Sequence, residues 1–191
     1  MSDALKQHVR KFISISDDEL TAVCNYFTKL SVSKKHHLLT EGKVCGYNYF
    51  VEKGLLRMYF VKENGVEQTT EFAMENWWLS DYTSFTTGQP SEFYIQSVER
   101  SEILAIDKQS QDEMLRQHPA MEAYYRQVHL RAHAAAQFRV KMLYTLSREE
   151  HYYLFADNYP AFVQRVPQYL LASFLGFTPE YLSEIRAKRK S

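Results

Sequence analysis

Residues 165–189 read RVPQYLLASFLGFTPEYLSEIRAKR, and the spacing of their apolar side chains predicts two helices that cross at a tight turn. The faces that these helices would bury carry Leu171, Leu175, Phe177, Leu182 and Ile185. Ala172 is expected at the crossing point, and Gly176 supplies the turn because glycine adopts a positive φ without steric strain. Thr178 and Pro179 predict the start of the second helix, with a hydroxyl at the N-cap and proline at the first helical position. This order of residues is typical of a helix-turn-helix.

A helix-turn-helix that binds DNA places the N-terminal residues of its second helix against base edges in the major groove. The candidate DNA-binding residues are Thr178, Glu180, Tyr181, Ser183, Glu184, Arg186, Lys188 and Arg189. We expect Glu180, Tyr181 and Glu184 to face bases, since a carboxylate accepts from cytosine N4. We expect the basic cluster at residues 186–190 to meet phosphates. The alternative is a plain helical hairpin with a solvated basic tail.

The composition describes a folded protein with no global attraction to nucleic acid. Lys+Arg and Asp+Glu are both 23 among 191 residues, so any affinity for DNA must come from local charge. The first twelve residues lack the apolar core of a secretion signal, and no apolar run approaches the length of a membrane span. We therefore expect a cytoplasmic protein. Cys24 and Cys45 are expected to be small buried thiols, since two cysteines cannot form a disulfide framework.

The segment from residue 31 to about 106 has short β-forming runs separated by glycines. Strands are predicted at residues 49–51, 55–61, 66–72, 93–98 and 103–106. Asn64-Gly65 lies between two of these runs and predicts a type I′ hairpin, in which both central residues have positive φ. Regularly spaced short strands with glycine corners favour a compact β-roll.

Local capping signals predict the helices that flank this roll. Ser16 with Glu19, and Ser147 with Glu150, have the spacing of a capping box. Asp107 is expected to cap a short helix, and Pro119 to begin a much longer one. The helix that starts after Ser147 should end before Pro160.

The long helix carries an apolar repeat in steps of three and four residues, which favours a parallel coiled-coil contact between two copies of the chain. The predicted dimer interface consists of Met121, Tyr125, Val128, Ala132, Ala135 and Met142. The alternative is that the same stripe packs within the chain, against the roll.

The sequence gives little support for an enzyme. A metal-dependent β-roll enzyme needs histidines inside the roll, but none lies between residues 49 and 106. His129 and His133 have helical spacing but lack the glutamate of a metalloprotease helix between them. No nucleophile motif or phosphate-binding glycine loop is present. We therefore expect no catalytic residue and no metal site.

The order of elements resembles the cyclic AMP receptor protein and its relatives, the Crp/Fnr family of transcription regulators. The segment LLASFLGFTPEYLSEIR is similar to the family pattern I-A-x-x-L-G-x-T-x-E-x-V-S-R. The resemblance implies an α+β fold: an antiparallel β-roll sensor domain at residues 1–117, a dimerisation helix at 118–145 and a helix-turn-helix domain at 146–191. It also implies a homodimeric regulator of transcription that binds double-stranded DNA, with RNA polymerase as a candidate further partner.

Two features depart from the family. Members that bind cyclic nucleotides hold the phosphate with a Gly-Glu pair and an Arg-Ser pair. This chain has Ser80-Asp81 and Ser91-Glu92 at those positions, so no arginine is present. These four residues are the candidate ligand pocket, yet cyclic AMP is not expected to bind, because its phosphate would lack a charge-assisted bidentate contact. No cofactor is assigned, and the sequence does not identify an effector; Asp81 could accept from a neutral or cationic ligand.

The second departure is at the DNA end. Glu184 stands where the family usually has arginine, so we expect a different base preference. The given sequence stops at Ser191, where many relatives continue into a β-hairpin wing, and we expect modest, salt-dependent affinity. The alternative function is a sensor or protein-interaction module that keeps the fold but no longer binds DNA.

Overall fold

A computed structural model of the chain describes residues 3–189. The strands are β1 (Thr28–Val32), β2 (His37–Leu39), β3 (Tyr47–Lys53), β4 (Leu56–Val61), β5 (Glu67–Ala73), β6 (Trp78–Leu79), β7 (Tyr94–Ser97) and β8 (Ser101–Asp107). The helices are α1 (Asp3–Arg10), α2 (Asp17–Cys24), α3 (Tyr82–Thr87), α4 (Lys108–Gln117), α5 (Ala120–Thr145), α6 (Arg148–Asn158), α7 (Pro160–Arg165), α8 (Gln168–Leu175) and α9 (Pro179–Lys188).

The strands form two antiparallel sheets of four, in the orders β1-β8-β3-β6 and β2-β7-β4-β5. Both sheets combine early and late strands, as in a roll. In the first, β3 lies beside β8 with Tyr49 opposite Ala105. In the second, β4 lies beside β7 with Tyr59 opposite Tyr94. The expected α+β fold with an antiparallel β-roll is confirmed.

The five predicted strands correspond to β3, β4, β5, β7 and β8. The prediction missed β2 and β6, which have three and two residues and are too short for an alternating pattern. It also missed β1 and helix α3. A strand of two or three residues is stabilised by its neighbours in the sheet, so its own sequence carries little signal.

The hairpin between β4 and β5 turns where expected, but the predicted turn type is wrong. Gly65 has a φ of 79°, whereas Asn64 does not adopt a positive φ. The Gly65 amide donates to the carbonyl of Lys62 at 2.8 Å, and the Lys62 amide donates to the carbonyl of Val66 at 3.0 Å. The loop is therefore one residue longer than a type I′ hairpin and needs a positive φ only at its glycine.

The roll is stabilised by two apolar clusters. One lies between the sheets and includes Val51, Leu56, Ile95 and Ile103. The other joins the first sheet to helices α1, α2, α4 and the beginning of α5; its members include Leu5, Leu20, Phe50, Met114, Met121 and Tyr124, all buried. The first turns of α5 thus belong to the core of the roll.

The predicted capping residues all begin helices. Ser16, Asp107 and Thr178 each accept a hydrogen bond from a backbone amide in the first turn of α2, α4 and α9. Ser147 and Glu150 form both hydrogen bonds of a capping box at the start of α6. These local signals placed the helix starts correctly because a cap is made by residues three apart.

The described chain divides into two compact units. The first comprises residues up to 60 and residues 70–129, and the second comprises residues 61–69 and 130–189. The division falls within α5, and the tip of the β4–β5 hairpin belongs to the second unit. Between residues 3 and 189, no helix is long and apolar enough to span a membrane.

Candidate functional site

Helices α8 and α9 form a helix-turn-helix with the geometry that the sequence predicts. Gly176 ends α8 with a φ of 77°, and the Thr178 hydroxyl accepts from the Tyr181 amide at 3.2 Å. Buried side chains hold the two helices together: Leu171, Ala172, Leu175, Leu182 and Ile185. Phe177 was also expected to be buried, but it lies in the turn and is only half-buried, with its ring 5.7 Å from that of Tyr181.

The first two turns of α9 expose one polar face. Glu180, Ser183 and Glu184 are exposed, as the prediction of base contacts requires. Tyr181 is half-buried, and the guanidinium of Arg148 lies 5.8 Å from the centre of its ring. The free face of α9 is therefore made mainly of hydrogen-bond acceptors.

The basic residues at the end of α9 are held by other parts of the chain. Lys188 Nζ lies 2.7 Å from Glu149 Oε1, and Arg189 pairs with Asp157. The hydrogen bond with Glu149 raises the pKa of Lys188 above its usual value. Arg186 contacts the side-chain oxygen of Gln168 at 3.5 Å. Lys190, the last member of the predicted basic cluster, lies outside the described residues.

Helix α8 also forms hydrogen bonds with the tip of the β4–β5 hairpin and with α5, within the second unit. The Ser173 hydroxyl donates to the carbonyl of Glu67 at 2.8 Å and accepts from the Thr69 amide at 2.8 Å. Arg139 of α5 donates to the carbonyl of Phe174 at 2.9 Å, and its guanidinium lies 4.0 Å from the centre of the Phe174 ring. The hairpin tip and α5 thus set the position of the helix-turn-helix within this unit.

The predicted dimer interface on α5 is wrong for the first half of the helix. Met121 and Tyr125 are 0% and 5% exposed and belong to the core of the roll, and Val128 packs against the same cluster. Met142 is 8% exposed within the chain. Ala132 and Ala135 are exposed. The repeat of three and four residues arose because this part of α5 packs on its own roll, which is the alternative that the sequence left open.

The second half of α5 exposes a different apolar face. Its large side chains are between 51% and 86% exposed: Leu130, Phe138, Val140, Leu143 and Tyr144. So many exposed large apolar side chains on one helix usually mark a surface that another protein covers. The sequence did not reveal this face because it does not follow the regular heptad that the buried stripe follows.

Three of the four candidate pocket residues are buried among their own hydrogen bonds. Asp81 caps α3, with one carboxylate oxygen accepting from the amides of Thr83 and Ser84 at 3.1 and 3.2 Å. Its other oxygen accepts from the Ser91 hydroxyl at 2.7 Å. Ser80 donates to the carbonyl of Tyr47 at 3.1 Å.

The fourth residue, Glu92, is exposed and makes no part of this network. The suggestion that Asp81 is available to an external ligand is therefore wrong, since both of its carboxylate oxygens accept hydrogen bonds within the chain. An anion at the start of α3 would have to displace the carboxylate that already accepts from the helix amides, and would meet its charge.

Residues 29–118 match the family model described as the cyclic nucleotide-binding domain. A comparison with curated proteins found no match. Among solved structures, the chain is similar to CooA from Carboxydothermus hydrogenoformans, with a TM-score of 0.70, 19% identity, and 88% of this chain and 78% of that chain covered.

Two further solved structures show the same similarity. A protein from Eubacterium rectale assigned to the Crp/Fnr family of transcriptional regulators has a TM-score of 0.71 and 12% identity, over 92% of this chain and 84% of that chain. The catabolite activator protein of Thermus thermophilus has a TM-score of 0.59 and 18% identity, over 93% and 84%. At these identities the likeness establishes the fold. Residues 29–118 are thus similar to the cyclic nucleotide-binding domain, and the chain has the fold of solved transcription regulators of the Crp/Fnr family.

Proposed function

We propose that the protein is a DNA-binding regulator of transcription that acts as a homodimer and does not respond to cyclic AMP. The observation that carries this proposal is the helix-turn-helix of α8 and α9. The residues that pack its two helices together are buried, whereas Glu180, Ser183 and Glu184 at the start of the second helix are exposed. A recognition helix needs this free N-terminal face to reach base edges.

In this proposal Glu180, Tyr181 and Glu184 face bases, and Arg186, Lys188 and Arg189 contact phosphates. Thr178 serves as the cap that fixes the start of the helix. A change in the roll would shift the long helices of a dimer and alter the separation of its two recognition helices. These must lie about one DNA turn apart, roughly 34 Å, to bind a palindromic site.

The exposed apolar face of α5 supports the homodimer. Leu130, Val140, Leu143 and Tyr144, which share one side of the helix, would be covered by the same residues of a second copy. Self-association through one patch is the usual arrangement of a two-fold dimer. RNA polymerase is a further proposed partner.

Cyclic AMP is excluded as the effector in this proposal because Asp81 occupies the amides of α3 and no arginine accompanies it. Isothermal titration calorimetry with cyclic AMP should give no heat of binding at micromolar protein concentration. Micromolar affinity would refute this part of the proposal without affecting DNA binding.

The experiment that tests DNA binding is a gel shift with the Arg186→Ala/Arg189→Ala variant. Phosphate contacts carry no sequence information, so affinity should fall on all duplexes alike, by roughly tenfold or more. Arg100→Ala, at an exposed position of the roll, is the control for loss of positive charge. Unchanged affinity of the double variant would count against the assignment.

A second candidate function is a sensor or protein-interaction module with the same fold that no longer binds DNA. The observation in its favour is that Lys188 and Arg189 are already paired with carboxylates of α6. Selection of genomic fragments with the purified protein separates the two functions. Enrichment of a palindromic sequence supports only the regulator.

A further inference from the structure

Helix α6 contacts the basic end of α9 through two carboxylates. Glu149, in the first turn of α6, lies 2.7 Å from Lys188 Nζ. Asp157, near the end of the same helix, pairs with Arg189. The guanidinium of Arg189 also lies 5.6 Å from the centre of the Tyr153 ring, one helical turn before Asp157. Both pairs join residues more than 30 positions apart, so they depend on the tertiary fold.

The two ion pairs are within reach of solvent. Their four side chains are between 37% and 63% exposed. Pairs with this exposure contribute little to stability, because water and salt screen the charges and both side chains lose freedom. They can therefore open when a stronger anion approaches.

A DNA phosphate is such an anion, and it would approach the same two basic residues. Each phosphate contact competes with a carboxylate for the charge and the N–H donors of Lys188 or Arg189. The carboxylate that is left behind then lies close to the phosphates and repels them. Both effects act against binding of any duplex, whatever its sequence.

We propose that Glu149 and Asp157 act as internal substitutes for DNA phosphates, so that they hold Lys188 and Arg189 in the free protein and restrain its affinity for DNA. The inference rests on the proposed function, because it matters only if α9 binds DNA. The two carboxylates lower the affinity of the protein for non-specific DNA sequences. Specific base contacts must then supply the remaining affinity.

The test compares Glu149→Gln, Asp157→Asn and the double variant with the unchanged chain. Binding is measured by fluorescence anisotropy on a mixed-sequence duplex of about four DNA turns, roughly 40 base pairs, at one fixed salt concentration. Each single variant should bind about twofold to fivefold more tightly, and the double variant up to about tenfold more tightly. Glu63→Gln, at an exposed position of the hairpin tip in the same unit, controls for the change in net charge.

A double-mutant cycle separates a local effect from long-range repulsion. In a Lys188→Gln background, Glu149→Gln should increase affinity less than it does in the unchanged chain, because only the repulsion between the carboxylate and the phosphates is left to remove. An equal increase in both backgrounds would show that the ion pair does not restrain Lys188, and would overturn the inference. Thermal unfolding shows that each variant is folded.

The possible failures are distinguishable. If the unchanged chain binds DNA and the variants bind no more tightly than Glu63→Gln, the inference is wrong and the proposed function stands. If neither the chain nor any folded variant binds any duplex, the proposed function fails and the inference with it.

Discussion

Tyr124 and Tyr125 are neighbours in sequence and both are buried, but within residues 3–189 only the hydroxyl group of Tyr124 is hydrogen-bonded. The Tyr124 hydroxyl accepts from Trp78 Nε1 at 2.8 Å and lies 2.7 Å from His8 Nδ1. The Tyr125 hydroxyl has no hydrogen-bond partner among the described residues. Burial raises the pKa of both groups, so both hydroxyls stay protonated.

We expect Tyr124→Phe to lower the free energy of unfolding by about 1–3 kcal/mol, because it leaves the buried Trp78 N–H without its acceptor. Tyr125→Phe removes a buried hydroxyl that gains nothing from folding, so it should be neutral or raise the free energy of unfolding by about 1 kcal/mol. Urea unfolding of both variants measures the difference.

Each variant is the control for the other, since both delete one oxygen from a buried ring at adjacent positions. A loss of stability in Tyr125→Phe as large as in Tyr124→Phe would show that the Tyr125 hydroxyl is hydrogen-bonded. It would then contradict the prediction.

Helix α6 carries a buried imidazole on the side that packs against the turn of the helix-turn-helix. His151 is 7% exposed, and its ring lies 6.4 Å from that of Phe177, edge to face. Burial, and to a lesser degree the positive charge of Arg139, lowers the pKa of His151 below its ordinary value of 6.5. The folded second unit therefore favours the neutral ring.

The sign of the pH dependence follows from this pKa. Below about pH 6.5, His151 is protonated more readily in the unfolded chain than in the folded chain. The free energy of unfolding therefore decreases as the pH falls. One such group changes the free energy of unfolding by at most about 1.4 kcal/mol per pH unit. Chemical denaturation between pH 7.5 and roughly pH 5 measures the slope, above the range in which carboxylates titrate.

His151→Gln should reduce this slope. The pKa of His129 is also lowered by partial desolvation, so this residue contributes its own part and His129→Gln is the matched comparison. A pH profile of His151→Gln identical to that of the unchanged chain would contradict the role assigned to the imidazole.

The sequence predicts a structural feature well when the residues that form it are close together in the chain. Thr178 and Pro179 place the start of α9 without any tertiary information, and Ser147 does the same for α6. The pairing of Lys188 with Glu149 joins residues 39 apart, so only the folded chain reveals it. The sequence thus identified the helix-turn-helix but not the contacts that occupy its basic residues.

The error on α5 has a different physical cause. Met121 and Tyr125 have the spacing of a coiled-coil seam, and a buried stripe within one chain has the same spacing. The periodicity shows that a face is buried but does not show what buries it. Asp81 illustrates the same limit in the roll, because its position in the sequence suggested a ligand contact whereas its carboxylate caps α3.

The proposed regulator needs two copies of the chain, because one recognition helix reads only half of a palindromic site. Val140 and Leu143 are 51% and 54% exposed on α5. Replacing both with glutamate would place four like charges in a dimer contact through this face. We expect the Val140→Glu/Leu143→Glu variant to be monomeric by light scattering, whereas the unchanged chain has about twice the mass of one chain.

The monomer should also bind a palindromic duplex at least about a hundredfold more weakly, since the second half-site is no longer reached at high effective concentration. Val66→Glu is the matched control, because Val66 is 53% exposed and lies at the hairpin tip instead of on α5. It should remain dimeric and keep its affinity. If the α5 variant stays dimeric, the dimer forms through another surface. If the variant is monomeric and binds DNA with unchanged affinity, two recognition helices are not required, and the proposed mode of DNA binding is wrong.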